Sequence, residues 1–338
     1  MSKRYTNKKY LFLILTVILI VIVNFIKLPY YLNLPGEAYE LEPIVKVEGA
    51  DSSSGEFLMT TVGVSRGQIN PYTYVWSRIS PNLELVPAED MRVEGESDKD
   101  YYYRQLHAMD LSQNVAVAVA YEKAGKGVTY KYNGVYVMSI VKGMDAEEKL
   151  EVGDRIFELN GKPLESSEQF IDNVGSLKKG DTVTVSFERD DKEMEETITL
   201  MPFPEDPAKI GVGISLVTDR EIIVDPDVEF DTSAVGGPSA GLMFTLEILN
   251  QLTEGDLTEG LKIAGTGTMD YDGKVGPIGG IVHKIVAADK AGAQYFFAPR
   301  AHSNYDDAVR KAKEIKTDMK VIPVDTLDDA LNYLQSLK

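Results

Sequence analysis

A serine in an unusual glycine-rich setting is the first residue of this sequence that could do chemistry. Ser239 lies within GGPSAG, residues 236–241, directly before the apolar stretch 242–249, which predicts a helix. A serine at a helix start is commonly an N-cap, whose oxygen accepts hydrogen bonds from free backbone N–H groups. A cap does not explain the glycines, which leave the hydroxyl open to a second molecule. The N–H groups at such a helix start could also stabilise an oxyanion.

A lysine on an apolar helix face is the second such residue. Residues 281–292 predict a helix after the turn sequence PIGG, and Lys284 shares one face with Ile281 and Ile285. His283 falls on a side better suited to water. The simple explanation is a lysine whose stem packs while its ammonium group reaches solvent. The alternative is a buried amine, whose pKa would be lowered by its aliphatic neighbours.

A serine and a neutral lysine can together cleave an acyl bond. Ser239 Oγ would attack a peptide carbonyl while the amine of Lys284 takes its proton. At an ordinary pKa of ~10.4, only about one lysine in 2,500 is neutral at pH 7. That fraction would erase most of the ~10²–10⁴-fold gain that a general base provides. The chemistry therefore predicts a Lys284 pKa several units below the ordinary value.

The two segments resemble the proteolytic domain of Lon proteases. The nucleophile of that family lies in a GPSAG motif, which is complete here over residues 237–241, and its lysine follows a P-[IV]-G-G segment at the offset of Lys284. The resemblance implies an α/β (α+β) fold over residues 210–338. It also implies Ser239 as the nucleophile and Lys284 as the general base.

Four further residues follow from the resemblance as supporting or oxyanion-stabilising parts of the site. Thr266 lies in the sequence AGTG, residues 264–267, where the family has a threonine that helps to orient the lysine. Backbone groups of Gly237, Pro238 and Gly241 would support the nucleophile or the oxyanion.

A β-rich unit precedes this region, over residues 128–203. The segment GVYVMSI predicts a strand after a glycine turn, and LEVGDRIFELNG ends in a strong hairpin signal, Asn-Gly. With a short predicted helix near Ser167–Val174, this order resembles a PDZ domain of the kind attached to bacterial proteases. The resemblance implies a groove in which an extended peptide adds as an extra strand. The groove residues would be Gly134, Val135, Tyr136 and Val137.

The bulk composition argues against several other classes of protein. A net charge of −18 over 338 residues would repel nucleic-acid phosphate. The absence of cysteine removes disulfides, thiolate catalysis and Cys-based metal sites, and the three histidines show no ligand spacing such as HExxH. No GxxxxGK[ST] motif for ATP occurs. We therefore expect no metal, no cofactor, no nucleic acid and no ATP.

The amino terminus predicts a membrane anchor. Residues 11–26, LFLILTVILIVIVNFI, are nearly all aliphatic, and four basic residues precede them within 1–9. The run is slightly shorter than the ~20 residues that cross hydrocarbon, and flanking aromatic residues extend the segment over residues 10–31. The basic residues place 1–9 in the cytoplasm and the rest of the chain outside the cell membrane. A cleaved signal peptide is the alternative, although no small-residue cleavage site follows.

Residues 32–127 carry the weakest signals and are assigned to the peptidase fold. A strand at 56–62 and an alanine-rich helix at 106–121 are predicted there. By analogy with the family, that strand would join the sheet of the later peptidase region. The peptidase domain would then be interrupted by the PDZ unit.

These features predict a membrane-anchored, PDZ-containing, Lon-like serine endopeptidase. It would act without ATP on extracellular peptides or exposed protein segments, with the PDZ domain binding substrate. Relatives often form rings, but no sequence feature marks a subunit interface. One alternative is an α/β-hydrolase, because GPSAG also satisfies GxSxG and Asp272 and His302 follow in triad order. In α/β-hydrolases the GxSxG motif forms a sharp turn, the nucleophile elbow, directly after an apolar strand. Here the preceding residues 231–237 read DTSAVGG, which is not typical of such a strand. The other alternative is a non-catalytic, membrane-tethered PDZ scaffold.

Overall fold

The computed structural model describes residues 2–93, 95–232 and 235–337, with side chains from Lys9 onward in the first helix. Two of the predicted segments extend past these limits. The cytoplasmic segment 1–9 begins at Met1, and the Lon-like region 210–338 ends at Lys338, both outside the described residues. The sequence 231–237 before Ser239 includes Ser233 and Ala234, which also lie outside the described residues.

Helices and strands alternate along much of the described chain. The helices are α1 (Ser2–Asn24), α2 (Pro71–Ile79), α3 (Ala88–Met91), α4 (Asp98–Lys123), α5 (Ser167–Gly175), α6 (Gly241–Leu252), α7 (Ile281–Lys290), α8 (Asn304–Ile315) and α9 (Leu327–Gln335), with 3₁₀ turns at Asp145–Glu148 and Ala301–Ser303. The strands are β1 (Tyr30–Glu40), β2 (Val45–Val47), β3 (Glu56–Val64), β4 (Glu84–Pro87), β5 (Thr129–Ile140), β6 (Arg155–Leu159), β7 (Lys162–Pro163), β8 (Thr182–Arg189), β9 (Lys192–Thr199), β10 (Met201–Pro202), β11 (Ile210–Gly211), β12 (Ile214–Ile223), β13 (Val228–Phe230), β14 (Lys262–Gly265), β15 (Thr268–Met269), β16 (Val275–Gly276), β17 (Tyr295–Pro299) and β18 (Lys320–Val324).

A six-stranded sheet in the order β18-β17-β14-β3-β1-β4 forms the centre of the larger unit. The strands from β18 to β3 are parallel, and β1 and β4 continue antiparallel. Successive residues of a strand face opposite sides of its sheet. Ile263 and Phe297 therefore pack with α4, α6 and α9 on one face, whereas Ala264 and Phe296 pack with α7 and α8 on the other.

Helix α6 is the most deeply buried helix in the described part of the chain. Every residue from 241 to 250 is buried, which suits a helix that is apolar on most sides. The helix α4 packs along it, and α4 also contacts the β-rich unit. Residues 236–241, which carry the predicted nucleophile Ser239 and are called the nucleophile segment below, lead directly into α6, and α4 packs along that helix.

Strand β3 confirms the strand predicted at 56–62. It pairs in parallel with β14, so residues before and after the β-rich unit contribute to one sheet. The domain boundaries stay predictions.

The β-rich unit has its own sheet, in the order β12-β5-β6-β8-β9, with β7 paired to β6. Its core is separate and includes Phe170 of α5 and Phe187 of β8. Strand β12 lies beyond the predicted end of this unit at residue 203. The predicted mixed α/β fold with a β-rich PDZ-like unit is confirmed.

Helix α1 contains the apolar run for which an anchor was predicted. The apolar side chains from Leu11 to Ile22 are exposed. Among the residues that the structure describes, no helix combines the length and the apolar character that a membrane crossing requires.

Candidate active site

The hydroxyl of Ser239 meets the amine of Lys284. Lys284 Nζ donates a hydrogen bond of 2.8 Å to Ser239 Oγ and another of 2.7 Å to the carbonyl oxygen of Thr60 in β3. The N-cap interpretation of Ser239 is wrong, because α6 begins at Gly241 with Ala240 at the cap position and no side-chain cap. The serine oxygen is free for chemistry instead of stabilising the helix.

Lys284 is buried rather than reaching solvent. Its exposed fraction is 3%, and burial lowers the pKa of its amine from 10.5 to about 7. Within the described residues no carboxylate pairs with this amine, so no opposite charge offsets the loss of hydration. A substantial share of Lys284 is therefore neutral near pH 7, as a general base requires.

The two residues reach each other from opposite faces of the central sheet. Ser239 precedes α6 on one face, and Lys284 is carried by α7 on the other. Just past the carboxyl end of β14, Thr266 Oγ1 and the Gly267 N–H donate to the carbonyl oxygen of Ser239 at 3.0 and 2.9 Å. The carboxyl ends of parallel strands are where binding crevices of α/β sheets form.

The first residue before α7 has to be a glycine. Gly280 has a φ of 68°, and a Cβ there would lie 2.8 Å from Cγ2 of Val62 in β3. The close approach lets α7 begin against β3, with Lys284 one turn further on. The PIGG segment therefore fixes where the lysine points.

Helix α4 supports the nucleophile segment, which sequence reasoning missed. Ser112 Oγ donates to the carbonyl oxygen of Pro238 at 3.1 Å, and the Gly237 N–H donates to the carbonyl oxygen of Gln105 at 2.8 Å. Ser112 is buried. Ser112 is one of several polar residues in the predicted helix 106–121, and the sequence gives no sign of which residue it contacts.

The predicted supporting residues need correction. Thr266 bonds to Ser239 rather than to Lys284. The Gly237 N–H is already used by α4, proline has no N–H, and the Gly241 N–H makes a long bond of 3.4 Å to the carbonyl oxygen of Pro238. In the described part of the chain, the N–H groups of Ser239 and Ala240 have no acceptor, so these two N–H groups are available as donors.

A cavity of about 300 Å³ opens onto the Ser239–Lys284 pair. After Met59, β3 remains paired with β1 along one edge. Its other edge is no longer paired with a strand in the described residues, because the pairing with β14 ends at Met59. The cavity lies beside this strand. It is lined by Tyr39, Met59, Thr60, Thr61, Val62, Met109, Val235, Gly236, Ser239, Ala240, Gly279 and Lys284.

The residues of the α/β-hydrolase alternative lie elsewhere. Asp272 pairs with Lys274 at 3.1 Å, and His302 is exposed. The residue at the Ser239 hydroxyl is Lys284. No cluster of three or more His, Cys, Asp or Glu side chains in the described residues could hold a metal ion.

His283 does not face water as predicted. Its side chain is buried and lies 3.1 Å from Glu84 Oε2, and this hydrogen bond lowers the pKa of Glu84. Glu84 lies in β4, a strand that the sequence did not predict, and α7 itself packs against β1.

The prediction that residues 134–137 form the strand of the peptide groove is wrong. Gly134, Val135, Tyr136 and Val137 lie in β5, whose backbone is paired with β12 on one side and with β6 or its preceding turn on the other. A peptide cannot add to a strand that is paired along both edges. Gly134 has a packing role instead, since a Cβ there would lie 2.2 Å from the carbonyl oxygen of Ile156.

The edge strand beside α5 is β12. It ends the sheet, and Thr218 Oγ1 in β12 accepts a 3.0 Å hydrogen bond from the N–H of Ser167 at the start of α5. The sequence GVGI, residues 211–214, leads into this strand. That glycine-rich entry was the signal available, but it lies beyond the predicted end of the unit.

Comparisons with known proteins match two parts of this chain to known domain families. Residues 116–200 match the family model of the PDZ domain, and residues 227–336 match that of the Lon protease (S16) C-terminal proteolytic domain. Over 96 residues, or 28% of this chain, the sequence is 45% identical to a Lon protease of Campylobacter concisus. Over 102 residues, or 30% of the chain, it is 35% identical to a Lon protease of Metamycoplasma arthritidis. These matches take in 11% and 12% of the two relatives, so the chain spans a small part of their length.

Solved structures of single domains also match. The PDZ domain of an SdrC-like protein from Listeria monocytogenes is 39% identical, with a TM-score of 0.24; the match covers 26% of this chain and 90% of that one. The corresponding domain from Listeria innocua is 36% identical, with a TM-score of 0.23, over 25% of this chain and 92% of that one.

The chain therefore contains a PDZ domain together with a Lon-type proteolytic domain. The latter is the C-terminal proteolytic domain of the Lon (S16) proteases, a serine-type peptidase domain.

Proposed function

We propose that this protein is a serine endopeptidase with Ser239 as nucleophile and Lys284 as general base. One observation carries the proposal. A buried amine with no carboxylate partner in the described residues lies 2.8 Å from a serine hydroxyl that opens onto a cavity.

The geometry suits acyl transfer. Neutral Lys284 accepts the Ser239 proton as Oγ attacks the scissile carbonyl, and the N–H groups of Ser239 and Ala240 stabilise the oxyanion. The lysine then returns the proton to the leaving amine, and a water molecule releases the acyl group by the same steps. The carbonyl oxygen of Thr60 holds the amine in place throughout.

Extended peptide segments are the substrates that fit this cleft. The part of β3 past Met59 offers backbone groups on the side where β14 has ended, and a substrate strand can pair there with its carbonyl near Ser239. The sequence has no ATP-binding motif, so we propose that the enzyme cleaves flexible peptides or exposed segments without ATP. The PDZ domain binds substrate between β12 and α5 in this proposal.

The same proposal places the peptidase at the outer face of a cell membrane. Its support is the apolar run of residues 11–26, with four basic residues before it and exposed apolar side chains along it. The amino terminus then lies in the cytoplasm and both folded domains lie outside.

The pH dependence of peptide cleavage tests the proposal. We expect kcat/KM for an unstructured peptide to fall about tenfold per unit as pH falls below about 7, because protonated Lys284 cannot act as a base. Above that pH the rate should level off. A profile that keeps rising to pH 10 would contradict the proposal, and failure to cleave any unstructured peptide would favour the scaffold alternative.

Ser112 should matter for rate more than for substrate binding. Its hydroxyl holds the carbonyl oxygen of Pro238, so Ser112→Ala should loosen the nucleophile segment and lower kcat by about 10-fold, the effect of ~1.4 kcal/mol, with KM nearly unchanged. Ser77→Ala is the matched control, since Ser77 is also buried and donates to a backbone carbonyl, that of Tyr74. Equal losses of kcat in the two variants would show that Ser112 has no special role.

A further inference from the structure

Helix α2 presents an apolar face to the outside of the molecule. Tyr72, Val75, Trp76 and Ile79 are 42%, 63%, 60% and 72% exposed. Their spacing of three and four residues places them on one side of the helix, and we call this set the α2 outer face. Ser77, on the inner side, is buried. A soluble surface rarely leaves such a set of large apolar side chains uncovered.

The α2 outer face adjoins the end of the apolar helix α1. Tyr72 Oη donates to the carbonyl oxygen of Ile20 at 2.9 Å, and Asn70 Nδ2 donates to Asn24 Oδ1 at 2.8 Å. Phe25, directly after α1, is also exposed. The apolar side chains of α1 and of the α2 outer face therefore form one continuous surface.

We propose that the α2 outer face lies in the interfacial layer of a lipid bilayer, beside the inserted helix α1. The inference rests on the proposed membrane attachment and adds a second contact to it. Tyrosine and tryptophan favour the membrane–water interface, and exposed basic side chains at Lys27 and Arg78 can reach lipid headgroups. Because α1 and α2 share one apolar surface, a single bilayer covers both helices. The catalytic domain is then held against the membrane instead of turning freely on its anchor.

Trp76 provides the test, because it is the only tryptophan of the chain. The full chain is reconstituted in phosphatidylcholine vesicles with or without bromine on the upper acyl chains, and intrinsic fluorescence is recorded. We expect emission at a shorter wavelength than for a tryptophan in water, loss of about half of it or more in brominated lipid, and little quenching by aqueous iodide.

The control carries its tryptophan at a site of similar exposure in the β-rich unit, on a helix that does not belong to the α1–α2 surface. In Trp76→Phe/Ile171→Trp the new residue replaces a side chain on α5 that is 62% exposed, so iodide should quench it and brominated lipid should not. Flotation of the chain with vesicles is measured in parallel and reports membrane attachment as such. If the chain floats but Trp76 is quenched by iodide alone, the inference is overturned and the attachment is not. Trp76 shielded from both quenchers indicates contact with a second protein copy and also overturns it. A chain that does not float refutes the membrane attachment itself, and peptide cleavage tests the catalytic proposal separately.

Discussion

Replacing Lys284 by methionine should lower kcat for peptide cleavage by at least ~10²–10⁴-fold and yet raise the stability of the folded protein. The rate falls because no other base in the described structure lies at the Ser239 hydroxyl. The stability rises because a protonated amine without a carboxylate partner is costly to bury, whereas a methionine of similar length suits the same site. If Lys284 had only a structural role, its replacement would lower activity and stability together. A loss of activity with a gain in stability therefore indicates a catalytic role.

The gain in stability should depend on pH. The pKa of the Lys284 amine is 10.5 in the unfolded chain and about 7 in the folded protein, so between these values the unfolded chain binds more protons. The wild type therefore loses stability as pH falls from 10.5 towards 7, and below that range the full cost of about 5 kcal/mol remains. Urea unfolding at pH 6, 7.5 and 9 should show the advantage of Lys284→Met shrinking as pH rises.

Lys290→Met is the matched control for this substitution. Lys290 lies on the same helix α7 and is exposed, so its replacement should leave kcat unchanged and should not reproduce the gain in stability. The account would be contradicted if Lys284→Met kept its activity, or if it were less stable than the wild type at every pH.

Replacing Ser239 by alanine should remove peptide cleavage to a similar extent. Without the hydroxyl no acyl-enzyme can form, and the loss should be ~10³-fold or more. Because the serine and the lysine act as a unit, Ser239→Ala/Lys284→Met should be no slower than either single variant. Rates from peptide digestion, with products identified by mass spectrometry, give the comparison.

Labelling by a serine-directed phosphonate provides an independent readout of the same prediction. The wild type should gain one adduct on the peptide that contains Ser239, and Ser239→Ala should gain none. Cleavage that survives in the double variant would exclude the pair as the catalytic groups and would reopen the question of His302.

Local sequence motifs located the Ser239–Lys284 pair because each motif carries its own geometry. Gly280 has a positive φ and lies so close to Val62 that a side chain would not fit there. The glycines around Ser239 likewise lie close to neighbouring chain segments. Both motifs therefore mark points where a helix start packs tightly against another segment. The apolar positions at 281 and 285 left open whether Lys284 is buried or reaches solvent, and only the need for a neutral base favoured burial. The amine is buried because sheet and helices together exclude water from it.

Contacts between distant segments could not be predicted in the same way. Ser112 and Gln105 support the nucleophile segment from α4, more than 120 residues earlier in the chain. His283 was placed towards water because helix periodicity does not reveal that the folded chain buries its ring against Glu84 of β4. The groove strand was misassigned for a related reason, since β12 follows the predicted unit and pairs back onto β5.

The pKa of Lys284, measured directly, is the sharpest test of the central claim. With lysine labelled by ¹³C at Cε, the Lys284 signal is the one that disappears in Lys284→Met, and its shift is followed from pH 5 to 11. A buried amine held against Ser239 should titrate near pH 7. Titration near 10.5, the ordinary lysine value, would contradict the claim that the folded protein supplies a neutral base to the nucleophile.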